Sequence, residues 1–281
     1  MTETSPVFAD RYGPWALIAG GSEGIGASFA DQLAARGLNL VLLARNAQAL
    51  QHTAQQLRAR HAVDVRTHSV DLTAPGLDAT IDALCADLDI GLLVYNAGAT
   101  HGAHLFLDAP LTQALNLVQL NCIGPLILAH RIGARLRARG RGGIVLLSSM
   151  SALAGTGYVA SYAATKAFDM IFAEGLWAEL RPYGVDVLGL VAGATRTPAM
   201  QRSGAQFGVS GDGSVEPNTQ GMDPDDVVRE ALEKLGDGPI LFPGERNRAA
   251  ADAIRQAPRG PAVEAMSGAA AAMYGKAWPP N

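Results

Sequence analysis

Short, almost continuously apolar runs alternate with longer helical patterns along most of the chain, and this alternation constrains the fold more than any other feature. Strands that are buried on both faces have this apolar character, and the helical stretches are long enough to cross over between parallel strands. Right-handed βαβ crossovers of this kind build a doubly wound sheet with helices on both faces. We therefore predict an α/β, Rossmann-type parallel sheet of about seven strands. The predicted strands cover residues 15–19, 38–43, 63–70, 90–95, 144–147, 185–191 and 238–242.

No linker divides the 281 residues, so the sequence predicts a single domain. Residues 1–13 are predicted as an N-terminal extension and 246–281 as a C-terminal extension. Residues 198–222, where Gly, Ser and Gln are frequent, are predicted as a substrate loop or lid. The predicted helices cover residues 25–36, a stretch that ends near 61, 107–139 with a break near Pro110 or Pro125, 161–181, and a segment that starts at Asp223.

Charge and composition limit the partners that the chain can have. A net charge of −4 argues against nucleic acid or an anionic membrane as the main partner. No signal-peptide pattern and no apolar run of about eighteen residues is present, which predicts a cytoplasmic protein. Cys85 and Cys122 lie in apolar segments and are expected to be reduced. His101 and His104 have no Cys or acidic cluster beside them, so no metal site is expected.

A glycine-rich turn follows the first predicted strand. Gly20, Gly24 and Gly26 permit a tight turn and let the backbone approach a pyrophosphate at the start of the next helix. At the end of the second strand, Arg45 occupies the region where an acidic residue would bind the ribose of NAD. An arginine there supplies a counter-charge for a 2′-phosphate, which favours NADP(H) over NAD(H), although Glu23 adds an opposing negative charge to the turn.

A tyrosine and a lysine four residues apart suggest the chemistry. Tyr162 and Lys166 project from one face of a predicted helix. An ammonium so close favours phenolate over phenol, which would lower the pKa of the tyrosine and suit it to general acid/base catalysis. Ser149 follows the predicted strand at 144–147, where its hydroxyl would face the same pocket.

Together these features resemble the short-chain dehydrogenase/reductase family over about residues 14–245. The motifs occur in the family's order: the glycine turn, an acidic residue after the third strand, an N-A-G segment, an Asn-Ser-Tyr-Lys tetrad and a G-x-x-x-T segment. The resemblance implies the catalytic residues Asn121, Ser149, Tyr162 and Lys166. It implies cofactor contacts from Gly20, Ser22, Glu23, Gly24, Ile25, Gly26, Arg45, Asp71, Leu72, Asn96, Ala97, Gly98, Tyr162, Lys166, Gly193, Thr195 and Thr197.

The family roles assign one task to each member of the tetrad. Tyr162 would exchange a proton with the substrate oxygen during hydride transfer, and Ser149 would orient that oxygen. Lys166 would lower the pKa of Tyr162 and bind the nicotinamide ribose, and Asn121 would hold a water in a proton relay. Tyr95 departs from the family pattern, because it stands where the first Asn of N-N-A-G is usual.

The resulting hypothesis is an NADP(H)-dependent oxidoreductase that interconverts a secondary alcohol and a ketone on a moderately hydrophobic small molecule. Two alternatives stay open: a reductase of 3-oxoacyl thioesters, and a non-catalytic NADP-binding regulatory protein. The resemblance suggests a homodimer or homotetramer. Met150, Leu153, Tyr158, Met200 and Phe207 are candidates for the substrate pocket, with core or lid packing as the other possibility for each.

Overall fold

The computed structural model describes residues 6–100, 102–202 and 221–280. The seven strands of this described part run parallel in a single sheet of order β3-β2-β1-β4-β5-β6-β7, which confirms the predicted fold class. The strands are β1 (Trp15–Ala19), β2 (Asn39–Ala44), β3 (Val65–Ser69), β4 (Ile90–Tyr95), β5 (Gly142–Ser149), β6 (Val185–Ala192) and β7 (Ile240–Leu241).

Helices cover both faces of the sheet, and each face has its own apolar core. Along β1, Ile18 belongs to one core and Leu17 to the other, because successive strand residues point to opposite faces. The helices are α1 (Pro6–Tyr12), α2 (Gly24–Ala34), α3 (Ala47–Arg60), α4 (Leu77–Leu84), α5 (Leu111–Val118), α6 (Gly124–Arg139), α7 (Ala160–Leu180), α8 (Pro198–Arg202), α9 (Pro224–Glu233), α10 (Glu245–Gln256) and α11 (Arg259–Met273).

The long helical region predicted over 107–139 begins at Leu111 and runs without interruption to Arg139. Of the two predicted break positions, Pro110 marks a real boundary, because it directly precedes the first residue of α5. Pro125 does not end the helix; a π-helical turn, Gln119–Ile123, joins α5 to α6 instead. Residues 111–139 form the one described helical stretch that is long and apolar enough to cross a membrane. Core helices of soluble proteins have the same composition, and here α6 packs against β4 and α4.

Both predicted extensions contain helices in their described parts. Near the N-terminus, Arg11 and Tyr12 at the end of α1 hydrogen-bond the Asp186 carboxylate on β6, with Tyr12 Oη 2.6 Å from Oδ2. At the C-terminus, α10 and α11 occupy a segment where no helix is predicted from the sequence. Of the predicted lid, residues 198–202 form α8, and residues 203–220, with Phe207, lie outside the described residues.

Candidate active site

The candidate site lies at the carboxyl ends of the strands, where the strand order reverses. β1 pairs with β2 on one side and with β4 on the other, so the loops after β1 and β4 leave the sheet in opposite directions. Open α/β sheets bind their ligands in the crevice that this reversal creates. The glycine turn follows β1, and the predicted N-A-G segment follows β4.

The glycine turn leaves no room for side chains. Gly20 has a φ of +83°, and its carbonyl accepts a 2.9 Å hydrogen bond from Asn96 Nδ2. A Cβ on Gly26 would overlap the Gly20 carbonyl oxygen and lie 2.6 Å from Asn96 Nδ2. α2 begins at Gly24, and the N–H groups of a helix's first turn have no acceptor within the helix. An anionic group such as a pyrophosphate therefore fits here, in a cradle that side chains would fill.

An ion pair lies across the mouth of this turn. Arg202 at the end of α8 donates two hydrogen bonds to the Glu23 carboxylate, the longer of them 3.0 Å. The pair neutralises the negative charge that Glu23 brings to the turn. It also connects the first residues of the predicted lid to the nucleotide end of the site.

Arg45 and Asp71 lie at the carboxyl ends of β2 and β3. The Arg45 side chain is exposed, and among the described residues no carboxylate forms an ion pair with it. Hydrogen bonds from Thr73 hold the pKa of the Asp71 carboxyl below its ordinary value, so this group is an ionised acceptor at neutral pH. The next residue, Leu72, is buried. A cation and an acceptor thus flank the region that the resemblance assigns to adenosine.

The π-helical turn presents Asn121 to the interior. Pro125 has no N–H, so it cannot donate the α-helical hydrogen bond to the Asn121 carbonyl. The Asn121 side chain is fully buried: Nδ2 donates to Thr165 Oγ1 at 3.0 Å, and Oδ1 accepts from Ala99 N at 3.3 Å. Asn121 thereby links the loop after β4 to α7.

The Tyr95 side chain on β4 stabilises this π-helical turn. Its hydroxyl donates a 2.6 Å hydrogen bond to the Leu120 carbonyl, and a Cβ on Gly124 would collide with that hydroxyl. Burial raises the pKa of the Tyr95 phenol well above its ordinary value, so this phenol stays protonated as a donor. The departure from the family pattern at Tyr95 therefore has a structural role at the π-helical turn.

The other three members of the predicted tetrad lie on β5 and α7, which pack against each other. Ser149 is the last residue of β5, and its Oγ accepts a 3.2 Å hydrogen bond from Ser151 N. Tyr162 lies in the first turn of α7, one turn before Lys166. The Lys166 ammonium reaches back to the β5 end and donates to the Leu147 carbonyl at 2.8 Å.

Lys166 also approaches the loop after β4. A Cβ on Gly98 would lie 3.3 Å from Lys166 Nζ and 3.6 Å from Asn121 Oδ1, so a glycine leaves that side of the ammonium open. Burial acts to lower the pKa of Lys166, but the Asp169 carboxylate and Tyr162 outweigh it, so the pKa lies above its ordinary value. Lys166 is a permanent cation in the centre of the site.

The G-x-x-x-T segment follows β6. Thr195 is buried and donates to the Gly193 carbonyl at 3.1 Å, and Thr197 Oγ1 caps α8 by accepting from Met200 N at 3.2 Å. A Cβ on Gly193 would overlap the Asn247 side-chain amide on α10. Motif spacing did not identify Asn247, because its proximity depends on how the C-terminal extension folds back.

A cleft opens beside Tyr162. Among the described residues, no lysine, arginine or carboxylate lines it, and Tyr158 forms part of its wall, next to Tyr162. Of the other predicted pocket residues, Met150 packs against a small apolar core that contains Leu153, and Met200 lies in α8. Within the described residues, no group of three His, Cys, Asp or Glu side chains is placed to hold a metal ion; His101 lies outside them.

The fold and the site define a Rossmann-type oxidoreductase that depends on a nicotinamide dinucleotide. A family profile described as short chain dehydrogenase matches residues 14–207. The chain belongs to the short-chain dehydrogenase/reductase family, whose members act on CH–OH groups with NAD(P), and it is an enzyme of that kind.

Known proteins similar to this chain include a 3-oxoacyl-CoA reductase and a hydroxysteroid dehydrogenase. It is 31% identical over 230 residues to a very-long-chain 3-oxoacyl-CoA reductase of Podospora anserina; the match covers 80% of this chain but only 64% of that reductase. A 7β-hydroxysteroid dehydrogenase of solved structure superposes with a TM-score of 0.83 at 26% identity, covering 92% of this chain and 98% of that one. A short-chain dehydrogenase from Sphingobium yanoikuyae, solved with NADPH, gives 0.73 at 32% identity, with coverage of 86% and 94%.

Proposed function

We propose that the protein is an NADP(H)-dependent oxidoreductase that interconverts a secondary alcohol and a ketone on a bulky hydrophobic molecule, with Tyr162 as general acid/base. One observation carries this proposal. Tyr162 lines the cleft, one helical turn from the buried Lys166 cation, and no group among the described residues hydrogen-bonds its hydroxyl. That hydroxyl is available for a substrate oxygen.

The roles of the protein's own groups follow from their positions. The bound nicotinamide supplies or accepts the hydride. Tyr162 gives a proton to the substrate oxygen, or takes one from it, and the Lys166 cation favours the charge that then develops on the phenol. Ser149 at the end of β5 supplies a second hydroxyl for the same oxygen, and Asn121 connects the loop after β4 to α7 through Thr165.

The lining of the cleft supports a hydrophobic substrate. The described part of its wall is mostly apolar, with Leu111, Leu117 and Val159 in the lining, and holds no lysine or arginine to bind a phosphate or a carboxylate. The 7β-hydroxysteroid dehydrogenase likeness favours a polycyclic alcohol or ketone. A 3-oxoacyl thioester is the second candidate, because the Podospora relative is a 3-oxoacyl-CoA reductase.

The preference for NADP(H) is supported by the exposed Arg45 at the end of β2 and by the NADPH in the Sphingobium structure.

We also propose that the protein is cytoplasmic and forms a homodimer or homotetramer. Large apolar side chains exposed on α5 and α7, among them Leu111, Leu115 and Ile171, support association of copies. Sedimentation analysis of the purified chain tests the oligomeric state.

The activity is tested with purified protein, NADPH and a panel of ketones that includes 7-oxosteroids, bulky aryl ketones and 3-oxoacyl-CoA. We expect reduction of at least one bulky ketone, measured by loss of NADPH absorbance. Tyr162→Phe should lower kcat by about 10³-fold or more and leave NADPH affinity within about threefold, because only the phenolic hydroxyl is lost. The matched control is Tyr183→Phe, half-exposed just after α7.

Two results would contradict the proposal. Equal turnover by Tyr162→Phe and the unaltered protein would remove Tyr162 from the chemistry. Tight NADPH binding with no turnover across the panel would instead favour the non-catalytic NADP-binding regulator.

A further inference from the structure

Inside α7, one turn after Lys166, lies a buried carboxylate to which the proposed mechanism gives no role. Asp169 Oδ2 accepts a hydrogen bond from Lys166 Nζ at 3.0 Å. The side chains of the two residues are 5% and 3% exposed. Both charges are therefore removed from water in the middle of the candidate active site.

Burying this ion pair costs desolvation free energy. Asp169 Oδ1 is buried and, among the described residues, has no hydrogen-bond partner. A half-satisfied buried carboxylate costs free energy, and apolar residues of similar volume often replace buried ion pairs without loss of stability. Stability alone does not account for an aspartate at this position.

The groups around the pair identify what it can influence. On α7, Tyr162 lies one turn before Lys166 and contributes to the raised pKa of Lys166. The Cys122 thiol of the π-helical turn interacts electrostatically with both Asp169 and Lys166. The Tyr95 hydroxyl of β4 interacts with Asp169 in the same way, although it is hydrogen-bonded to the Leu120 carbonyl. From β5 the pair meets the Leu147 carbonyl.

We propose that Asp169 is a positioning residue of the active site: it fixes the Lys166 ammonium against the end of β5 and offsets part of the positive charge that Lys166 presents to Tyr162. Two of the three Lys166 N–H donors are used in this way, by Leu147 and by Asp169. Asp169 thereby sets both the direction of the ammonium and the strength of its influence on Tyr162. The inference rests on the proposed function, in which Tyr162 exchanges the proton.

The decisive variant is Asp169→Asn, which keeps the side-chain shape and an acceptor for Lys166 but removes the negative charge. The positive charge of Lys166 is then no longer offset by the carboxylate, so the Tyr162 phenolate should form at lower pH. For alcohol oxidation with NADP⁺, we expect the acid limb of the pH profile of kcat/KM to move down by about one pH unit. The plateau above it should change by less than about threefold.

Two further variants separate charge from packing. Asp169→Val removes the charge and the acceptor together, so it should move the acid limb as far as Asp169→Asn does, with a lower plateau. Asp226→Asn, an exposed carboxylate on α9 paired with Arg229, is the control and should leave the limb in place. An acid limb unmoved by both Asp169 variants, or moved to higher pH, would overturn the proposal.

Cys122 provides a readout that needs no turnover. Burial, together with the Asp169 carboxylate, raises the pKa of the Cys122 thiol to about 11, while Lys166 acts to lower it. Asp169→Asn should therefore speed alkylation of Cys122 by iodoacetamide at pH 8, by about threefold or more, and Lys166→Met should slow it. The other cysteine, Cys85, is fully buried, and peptide mass spectrometry distinguishes the two.

The two readouts separate failure of this inference from failure of the proposed function. If no ketone or alcohol is turned over but Cys122 alkylation accelerates in Asp169→Asn, the charge relationship stands and the proposed function fails. If turnover is normal and neither the acid limb nor the alkylation rate changes, the proposed function stands and the role of Asp169 is overturned.

Discussion

Trp278 stands edge-on to Tyr158, with the two ring centroids 5.8 Å apart. Tyr158 forms part of the cleft wall beside Tyr162, so the last residues of the chain reach the mouth of the candidate active site. Tyr158 is also the one non-glycine residue in the described chain with a positive φ, +62°. The tail holds it there: its hydroxyl donates to the Ala277 carbonyl at 2.9 Å, and the indole N–H of Trp278 is fixed by Glu264.

Trp278→Ala should therefore weaken the binding of large substrates more than it slows the chemical step. Without the indole, the strained Tyr158 backbone loses its support, and we expect KM for a bulky ketone to rise about five- to tenfold while kcat changes less than about twofold. Because the indole is half-buried, stability should fall by about 1–3 kcal/mol. Steady-state kinetics and thermal unfolding measure these effects.

Trp278→Phe is the matched variant, because it keeps an aromatic edge but loses the second indole ring and the hydrogen bond to Glu264. It should retain most of the affinity for the bulky ketone. A small ketone should show little change with either variant. If Trp278→Ala leaves KM for the bulky ketone unaltered, the C-terminal extension does not shape the substrate cleft.

Gly26→Ala should abolish dinucleotide binding. The added methyl group would overlap the Gly20 carbonyl oxygen and press on Asn96, so the turn must open to accept it. We expect NADPH affinity to fall at least about 100-fold, measured by fluorescence titration, because the backbone then cannot approach the phosphates.

Gly175→Ala is the control for that substitution. Gly175 lies inside α7, and a Cβ there meets nothing within 4 Å. Removing a helix-interior glycine should stabilise the protein by about 0.5–1 kcal/mol and leave NADPH affinity unchanged. Unaltered NADPH binding in Gly26→Ala would contradict the assignment of this turn to the pyrophosphate.

The features that were predictable from sequence are those that depend on local pattern. The apolar run at 144–147 located β5 and with it Ser149, and the four-residue spacing put Tyr162 and Lys166 on one helix face. The helix α4, with its short eight-residue pattern, was missed. The sequence shows that Asp169 follows Lys166 by three residues. It does not show that the two side chains are buried together, because their burial depends on the packing of α7 against β5.

Other features depend on contacts between distant segments. Pro125 in the sequence indicates that the α-helical hydrogen bond to the Asn121 carbonyl is missing. The π-helical turn that replaces it also depends on the Tyr95 hydroxyl from β4, which the sequence does not place there. The alanine-rich α11 has no strong amphipathic pattern, so neither its position nor the contact of Trp278 with Tyr158 could be inferred. Tertiary packing decides such positions, and no local pattern encodes it.

Arg45→Ala tests the cofactor preference. The Arg45 side chain is exposed and forms no ion pair with a described carboxylate, so its charge is available to a 2′-phosphate. A charge-assisted hydrogen bond of about 1.5–3 kcal/mol corresponds to a loss of about 10- to 100-fold in the NADPH-to-NADH ratio of kcat/KM. Arg66→Ala is the matched control, because Arg66 on the adjacent strand is already paired with Asp87, and it should leave the ratio within about twofold. An unchanged ratio in Arg45→Ala would show that Arg45 does not select the phosphate, and discrimination would then have to come from other groups at the ends of β2 and β3.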